Sequence, residues 1–214
     1  MGARKAMLRL LFGEARAREI NAARTTRRTM KLPDRAFLRW TYIPAFAAEG
    51  GKILWVGCRD YTPNCYGPLE INGGEVWTTD IDPEAELWGR AGRHRVGDIC
   101  QAETLFPQAA FDAVICNGVF GWGVDSPAQQ AEAAGALAGV LRPRGRLLLG
   151  WNRDRMPDPV ALGVMAPFFS PAPFAAHPSR VEIGGATHVY DSFVRRESGG
   201  PGSGAVDQDH SLAP

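Results

Sequence analysis

The sequence predicts an α/β domain: a doubly wound, mostly parallel sheet of seven strands with an antiparallel last strand, preceded by helices. Three observations predict it. From Lys52 to Trp151, short apolar runs alternate with helical stretches, the pattern of right-handed crossovers over a parallel sheet. The runs KILWVG and FDAVICN are apolar on both faces, as in strands covered on both sides. The segments RVEIGG and THVYDSFVRR read as a closing hairpin that reverses the last strand.

The elements follow in order. Residues 3–23 are rich in Ala, Leu, Arg and Glu, with Met7, Leu8, Leu11 and Phe12 on one side, and read as a helix. Asp34 is placed to cap a second helix over 35–48 that stops at Gly50-Gly51. Its Phe37, Leu38, Trp40, Tyr42 and Phe46 make it too aromatic to sit wholly in water. KILWVG is the first strand and EVWTTDID the second, after which Pro83 opens a helix at PEAELWGRA. A short third strand fits HRVGD, and FDAVICN is the fourth. PAQQAEAAGALAGVLRP is an amphipathic helix stopped by Pro143, leading into GRLLLGW as the fifth strand. Residues 153–179 contain six prolines and read as a long irregular connection. The last stretch, SGGPGSGAVDQDHSLAP, reads as a flexible tail. Three segments result: an N-terminal helical arm or lid over 1–50, a ligand-binding domain over 51–197 and the tail over 198–214.

Bulk properties narrow the function. The chain has 214 residues, 45% hydrophobic and 22% charged, which suits one ordinary domain with a substantial core. No apolar run approaches the roughly 20 residues of a membrane helix. The N-terminus lacks a cleavage pattern and has Ala6 where a myristoylation signal needs Ser or Thr, so a cytoplasmic protein is expected. Cys58, Cys65, Cys100 and Cys116 show no metal spacing; they are expected to be reduced, mostly buried thiols, and no metal site is expected. Residues 1–52 hold 12 Lys/Arg against 4 Asp/Glu. Such an arm can meet phosphate or lipid, or it can be the solvated face of helices lying on an acidic body.

Ligands of open parallel sheets bind beyond the carboxyl ends of the strands, where strand order reverses. The residues just past each strand are therefore the informative ones. The first loop, VGCRDYT, opens like a nucleotide-binding turn but has only one glycine. The second strand ends in Asp80, 23 residues after Gly57, where a carboxylate can accept both hydroxyls of a ribose. The third ends in Gly97-Asp98-Ile99, an acid beside an apolar residue, which suits an adenine amino group and ring face. Turns at strand ends favour Asp and Gly in any case; three in register point to a ligand.

VGCRDYT, TTDIDPE, GDI, FDAVICNGVFGW and LRPRGRLLLGW resemble, in order and spacing, the motifs of class I S-adenosylmethionine (SAM) methyltransferases, with their Rossmann-like fold. The resemblance covers about residues 52–152, and more weakly 180–196. The phrases VGC-x-x-YT and ICNGVFGWG are most similar to a methyltransferase-like group without an assigned substrate. The resemblance implies SAM as cofactor, with Gly57 and Cys58 at its methionine part, Asp80 on the ribose, and Asp98 with Ile99 at the adenine. It puts Asn117, Gly118 and Val119 under the sulfonium. Arg59 and Tyr61 stand where such loops carry glycine. Either Arg59 forks onto the methionine carboxylate while Asp60 meets the ammonium, or the loop has drifted from binding.

Methyl transfer from a sulfonium needs mainly alignment in a dry pocket. Phe120 and Trp122 follow the fourth strand and are the expected walls of an acceptor site. Asp125, His177, His188 and Asp191 are the candidate bases, and the pattern singles out none of them as catalytic. The phrase NGVF lacks both prolines of the Asn-Pro-Pro-aromatic signature, so base-amine methylation is not implied. The leading expectation is a SAM-dependent methyltransferase acting on a small-molecule or glycan-like acceptor, with residues 1–50 and 153–179 as its lid. The competing expectation is a binding or scaffold protein that keeps the fold without the donor. Nucleic acid binding through the basic arm is the weaker alternative, and oligomeric state is not legible.

Overall fold

β1 (Lys52–Val56) sits inside an eight-stranded sheet, paired in parallel with β2 (Glu75–Asp80) on one side and β4 (Phe111–Asn117) on the other. β3 (His94–Val96) continues beyond β2, and β5 (Leu141–Asn152) beyond β4. β8 (His188–Arg195) then runs antiparallel to β5. The outer edge of β8 is shared by β6 (Phe169–Pro171) and the hairpin partner β7 (Arg180–Glu182). The strand order β3-β2-β1-β4-β5-β8-β6 reverses direction between β1 and β4, and this is where such sheets open a crevice. The computed structural model describes residues 23 and 26–197. The helix expected over 3–23 lies almost wholly outside the described residues, and the tail from 198 lies outside them entirely.

Period-two alternation along the strands divides the core into two layers. Leu54, Val56, Val114, Cys116, Leu147 and Leu149 face α5 (Pro127–Val140), whose Ala133, Ala134, Leu137 and Val140 are buried against them. Ile53, Trp55, Ile115, Leu148 and Tyr190 face the other way, onto Leu38, Tyr42, Ile43, Phe46, Tyr66 and Leu69. The N-terminal elements are therefore one layer of the core. They are α1 (Pro33–Phe37), a π-helical turn over Leu38–Tyr42, and α2 (Ile43–Glu49). Burying a side chain the size of Leu or Phe is worth roughly 1.5–3 kcal/mol, which ties this segment to the sheet.

Local chemistry explains most boundaries and the departures from expectation. α5 begins at a capping box, Ser126 with Gln129, and has Pro127 in its first turn. It stops at Val140, three residues before Pro143, because the residue preceding a proline is driven extended and Leu141 already is. Asp34 is not the cap of the second helix. Leu32 occupies that position, Pro33 opens α1, and the buried Asp34 carboxylate pairs with Arg35. PEAELWGRA forms only a 3-10 turn at Pro83–Trp88, since Ala85 alone of its residues is buried. The crossover from β1 to β2 is α3 (Pro63–Glu70), hidden in the sequence by Gly67-Pro68, and a single turn, α4 (Ala102–Leu105), follows β3. β6, inside the proline-rich connection, raises the count from the expected seven strands to eight.

Candidate functional site

The site grows from the turn after β1. Gly57 has φ +89°, and a Cβ there would lie 2.7 Å from the Asn117 carbonyl oxygen and 2.9 Å from Val119 Cγ2. Only glycine fits so close an approach. Residues 58–62 all keep φ negative, so Cys58, Arg59 and Tyr61 cost the backbone nothing where related loops use glycine. Tyr61 turns away from the crevice and is buried beneath the Arg35 guanidinium, 5.2 Å from its ring centroid. Asp60 accepts a hydrogen bond from the Thr26 hydroxyl at 3.3 Å. The Cys58 thiol is buried, and burial pushes it up to about 11.

Asp80 closes β2 with its carboxylate almost wholly enclosed, at 5% exposure. Oδ2 accepts the Cys58 backbone N–H at 2.7 Å and Arg59 Nη1 at 3.1 Å; Oδ1 accepts the Asp82 N–H at 3.0 Å. Arg59 Nη1 also donates to the Cys58 carbonyl at 2.7 Å, while its side chain is 46% exposed. Two of the three donors are backbone groups fixed by the fold. The third is a half-exposed guanidinium. A carboxylate has about four lone-pair positions, so a sugar diol competes with Arg59 and not with the backbone.

A hollow of about 160 Å³ opens at the switch point, bordered by Gly57, Arg59, Asp80, Asp98, Ile99 and Gly118 among others. The structure thus brings together eight of the residues picked out from sequence, Val119 and Trp122 being the other two. Asp98 caps the turn that follows β3, accepting the Cys100 N–H at 2.9 Å. Trp122 borders the mouth and is half exposed, with the Arg155 guanidinium 4.1 Å from its ring centroid. Cys58 and Asn117 support the rim from behind without lining it. Phe120 does not wall the site: it is fully buried beside Val124 in the α5 layer, because the loop folds back in a bridge between these residues. Sequence reading missed Gln129 as a lining residue. Gln129 had a usable signal, since the first turn of the helix after β4 points into the crevice.

Most of the candidate bases are committed elsewhere. Asp191 is buried on the other face, held by Trp151 Nε1 at 2.8 Å and by Arg180 at 2.7 and 2.9 Å. His177 packs edge-on against Phe37. Asp125 is exposed and accepts the Gly123 N–H at 3.2 Å. His188 is fully buried, and burial, aided by the Arg35 charge, pushes it down to about 3. It stays neutral, so Asp34 at 3.8 Å makes no ion pair with it.

Residues 56–149 match a family model described as a methyltransferase domain. No curated protein sequence matches the chain. Among solved structures, the chain is similar to N-methyltransferase NodS from Bradyrhizobium japonicum WM9: 18% identity, TM-score 0.58, covering 78% of this chain and 100% of that one. It is similar to a TehB-like SAM-dependent methyltransferase from Corynebacterium glutamicum, at 19% identity and TM-score 0.57, covering 83% and 100%. A third is the 1,6-didemethyltoxoflavin-N1-methyltransferase of Burkholderia thailandensis, with its bound acceptor and S-adenosylhomocysteine. That pair has 15% identity and TM-score 0.52, covering 84% and 90%. These likenesses establish the fold, and the family match lies on the stretch that builds the hollow. Residues 56–149 therefore carry the sequence pattern of a methyltransferase domain, set on a fold shared with solved SAM-dependent methyltransferases.

Proposed function

We propose that this protein moves the methyl group of SAM to a small-molecule or glycan-like acceptor in the cytoplasm. The observation that carries the reading is the hollow itself. Gly57, Asp80, Asp98, Ile99 and Gly118 converge on it at the switch point, and neither Arg59 nor Tyr61 fills it. The residues present fit the donor. Asp80 would take the ribose hydroxyls, Asp98 and Ile99 the adenine, and Gly57 with Cys58 the methionine end, with Arg59 withdrawing from Asp80 as the sugar arrives. Asn117 and Gly118 would border the reacting end, and Trp122 would shield it from water. Bound there, SAM supplies a methyl already activated on sulfur, so the protein's part is alignment and exclusion of water.

A small acceptor is supported by the NodS and toxoflavin-type neighbours, both named as N-methyltransferases. Four free thiols, three of them buried, suit a reducing compartment. The test is calorimetric titration of the full chain with SAM and S-adenosylhomocysteine, followed by incubation with methyl-labelled SAM and a metabolite extract. Saturable binding and a labelled small product are expected. Binding without any labelled product, or label found only in RNA, would overturn the acceptor reading.

A further inference from the structure

Strand order says where an acceptor has to lie. With the adenine at the exit of β3, the ribose at β2 and the reacting end at β4, the order β3-β2-β1-β4-β5 puts the exit of β5 next in line. An acceptor meets the methyl from that side, because the donor covers the other. β5 ends at Asn152 and runs on into Arg153, Asp154 and Arg155. The first three of these are engaged. Asn152 Nδ2 donates to Thr187 Oγ1 at 3.0 Å, while its Oδ1 faces His188 Nδ1 at 3.1 Å. Arg153 pairs with Glu182. The Thr187 hydroxyl donates to Asp154 and holds its carboxyl below the usual carboxylate range. Arg155 differs: its side chain is exposed, and among the described residues its guanidinium meets no carboxylate, only the Trp122 ring, 4.1 Å from Cζ to the centroid.

The backbone fixes this pair in place. Gly121 has φ +82°, and a Cβ on it would lie 2.9 Å from Arg155 Cβ and 3.3 Å from Met156 Cγ. The bare Cα lets the turn after β4 and the exit of β5 close on each other. Met156 is buried behind them, with Gln130 Nε2 of α5 at 3.9 Å from its sulfur. The turn is tied by the Gly121 N–H on the Val124 carbonyl at 3.0 Å and the Trp122 N–H on the Val119 carbonyl at 2.9 Å. Trp122 and Arg155 therefore stand on two interlocked segments at the mouth of the hollow, with the ring half exposed. A cation–π contact engages the face of a guanidinium and spares the N–H groups along its edge. Those donors match the paired oxygens of a carboxylate or phosphate. The nearby Asp125 is turned to the Gly123 N–H at 3.2 Å.

We propose that Arg155, steadied on the Trp122 ring at the exit of β5, selects a methyl acceptor that carries an oxyanion, a carboxylate or a phosphate. The assignment rests on the methyltransferase reading and names the charge of its acceptor. Arg155 binds the acceptor and takes no part in moving the methyl group or a proton.

The test uses the full chain, methyl-labelled SAM and a small-metabolite extract split by ion exchange into anionic, neutral and cationic pools. Label is expected from the anionic pool alone. Treating that pool with phosphatase separates the two oxyanions: label lost marks a phosphate, label kept a carboxylate. R155Q should need about tenfold more of the pool, or worse, for its half-maximal rate. Its maximal rate should change by less than about threefold and its S-adenosylhomocysteine affinity by less than about twofold, since only acceptor recognition is lost. R155K keeps the charge without the fork and should fall between wild type and R155Q. Label from the neutral or cationic pool, or an unchanged half-saturating amount in R155Q, would overturn the proposal. So would a parallel loss of donor affinity in R155Q, which would reduce Arg155 to a prop for Trp122. If S-adenosylhomocysteine binds but no pool is labelled, the acceptor reading falls and this assignment with it; if S-adenosylhomocysteine does not bind, the donor reading falls first. The failures are therefore distinguishable. Equal urea midpoints check that R155Q folds, and if it does not, R155K and the pool that yields label still decide the matter.

Discussion

Replacing Arg59 by alanine tests the donor site most directly, because the residue most at odds with the family pattern sits on the acid expected to hold the ribose. In the structure Arg59 Nη1 is 3.1 Å from Asp80 Oδ2 and 2.7 Å from the Cys58 carbonyl, with nearly half its side chain in solvent. Exposed ion pairs contribute about 0.2–1 kcal/mol. That is the cost a ribose must meet to displace the guanidinium, since the Cys58 and Asp82 backbone donors stay where they are. R59A should therefore tighten S-adenosylhomocysteine binding by up to about fivefold and change folding stability by less than about 1 kcal/mol. D80N keeps the shape but weakens the acceptor for the diol, and should loosen binding by at least about tenfold. In the double variant the benefit of removing Arg59 should vanish, because the displaced partner is gone. Titration calorimetry at two salt concentrations reads all three. If R59A instead weakens binding tenfold or more, Arg59 holds the methionine carboxylate in the complex, and sugar and guanidinium do not compete for Asp80.

G57A puts a methyl 2.7 Å from the Asn117 carbonyl oxygen at φ +89°; the strain is about 1–3 kcal/mol, and calorimetry should find donor binding lost even where chemical denaturation shows a folded protein. R180A leaves the buried Asp191 carboxylate without its two-pronged partner; urea unfolding should show a loss of about 3–5 kcal/mol, and a loss below about 1 kcal/mol would mean Asp191 is solvated. His188 is pushed down to about 3 by burial, so the unfolded chain binds the extra proton and this contribution is fully present above a pH of about 6.5. It falls as pH drops from about 6.5 toward 3, by about 1.4 kcal/mol per pH unit; between about pH 6.5 and 5, H188Q should flatten that slope.

The alternation of apolar runs and helical stretches carried the layered fold, because strands buried on both faces must be apolar throughout, and Lys52–Val56 and Phe111–Asn117 are. The site was legible at strand ends for a related reason. Where a chain leaves a buried strand, side chains are free to serve a ligand, and Asp80, Asp98 and Gly118 stand in those few places. The helix Pro63–Glu70 was not legible, since Gly67-Pro68 reads as a turn and it is packing against α2 and the sheet that keeps it wound. Nor was β6, three residues whose extended form is imposed by the free edge of β8.

What the sequence by itself determined was the order of the main strands and of the helix after β4, and the kinds of group set at their ends, because burial periodicity and turn chemistry act within a few residues. The tertiary structure alone decided which of those groups meet. Phe120 went into the core and Tyr61 beneath Arg35, Arg59 settled on Asp80, and Asn117 found His188 across a missing side chain at Gly150. Those partnerships join positions up to 71 residues apart in the chain. They depend on the register of neighbouring strands, which no local pattern encodes.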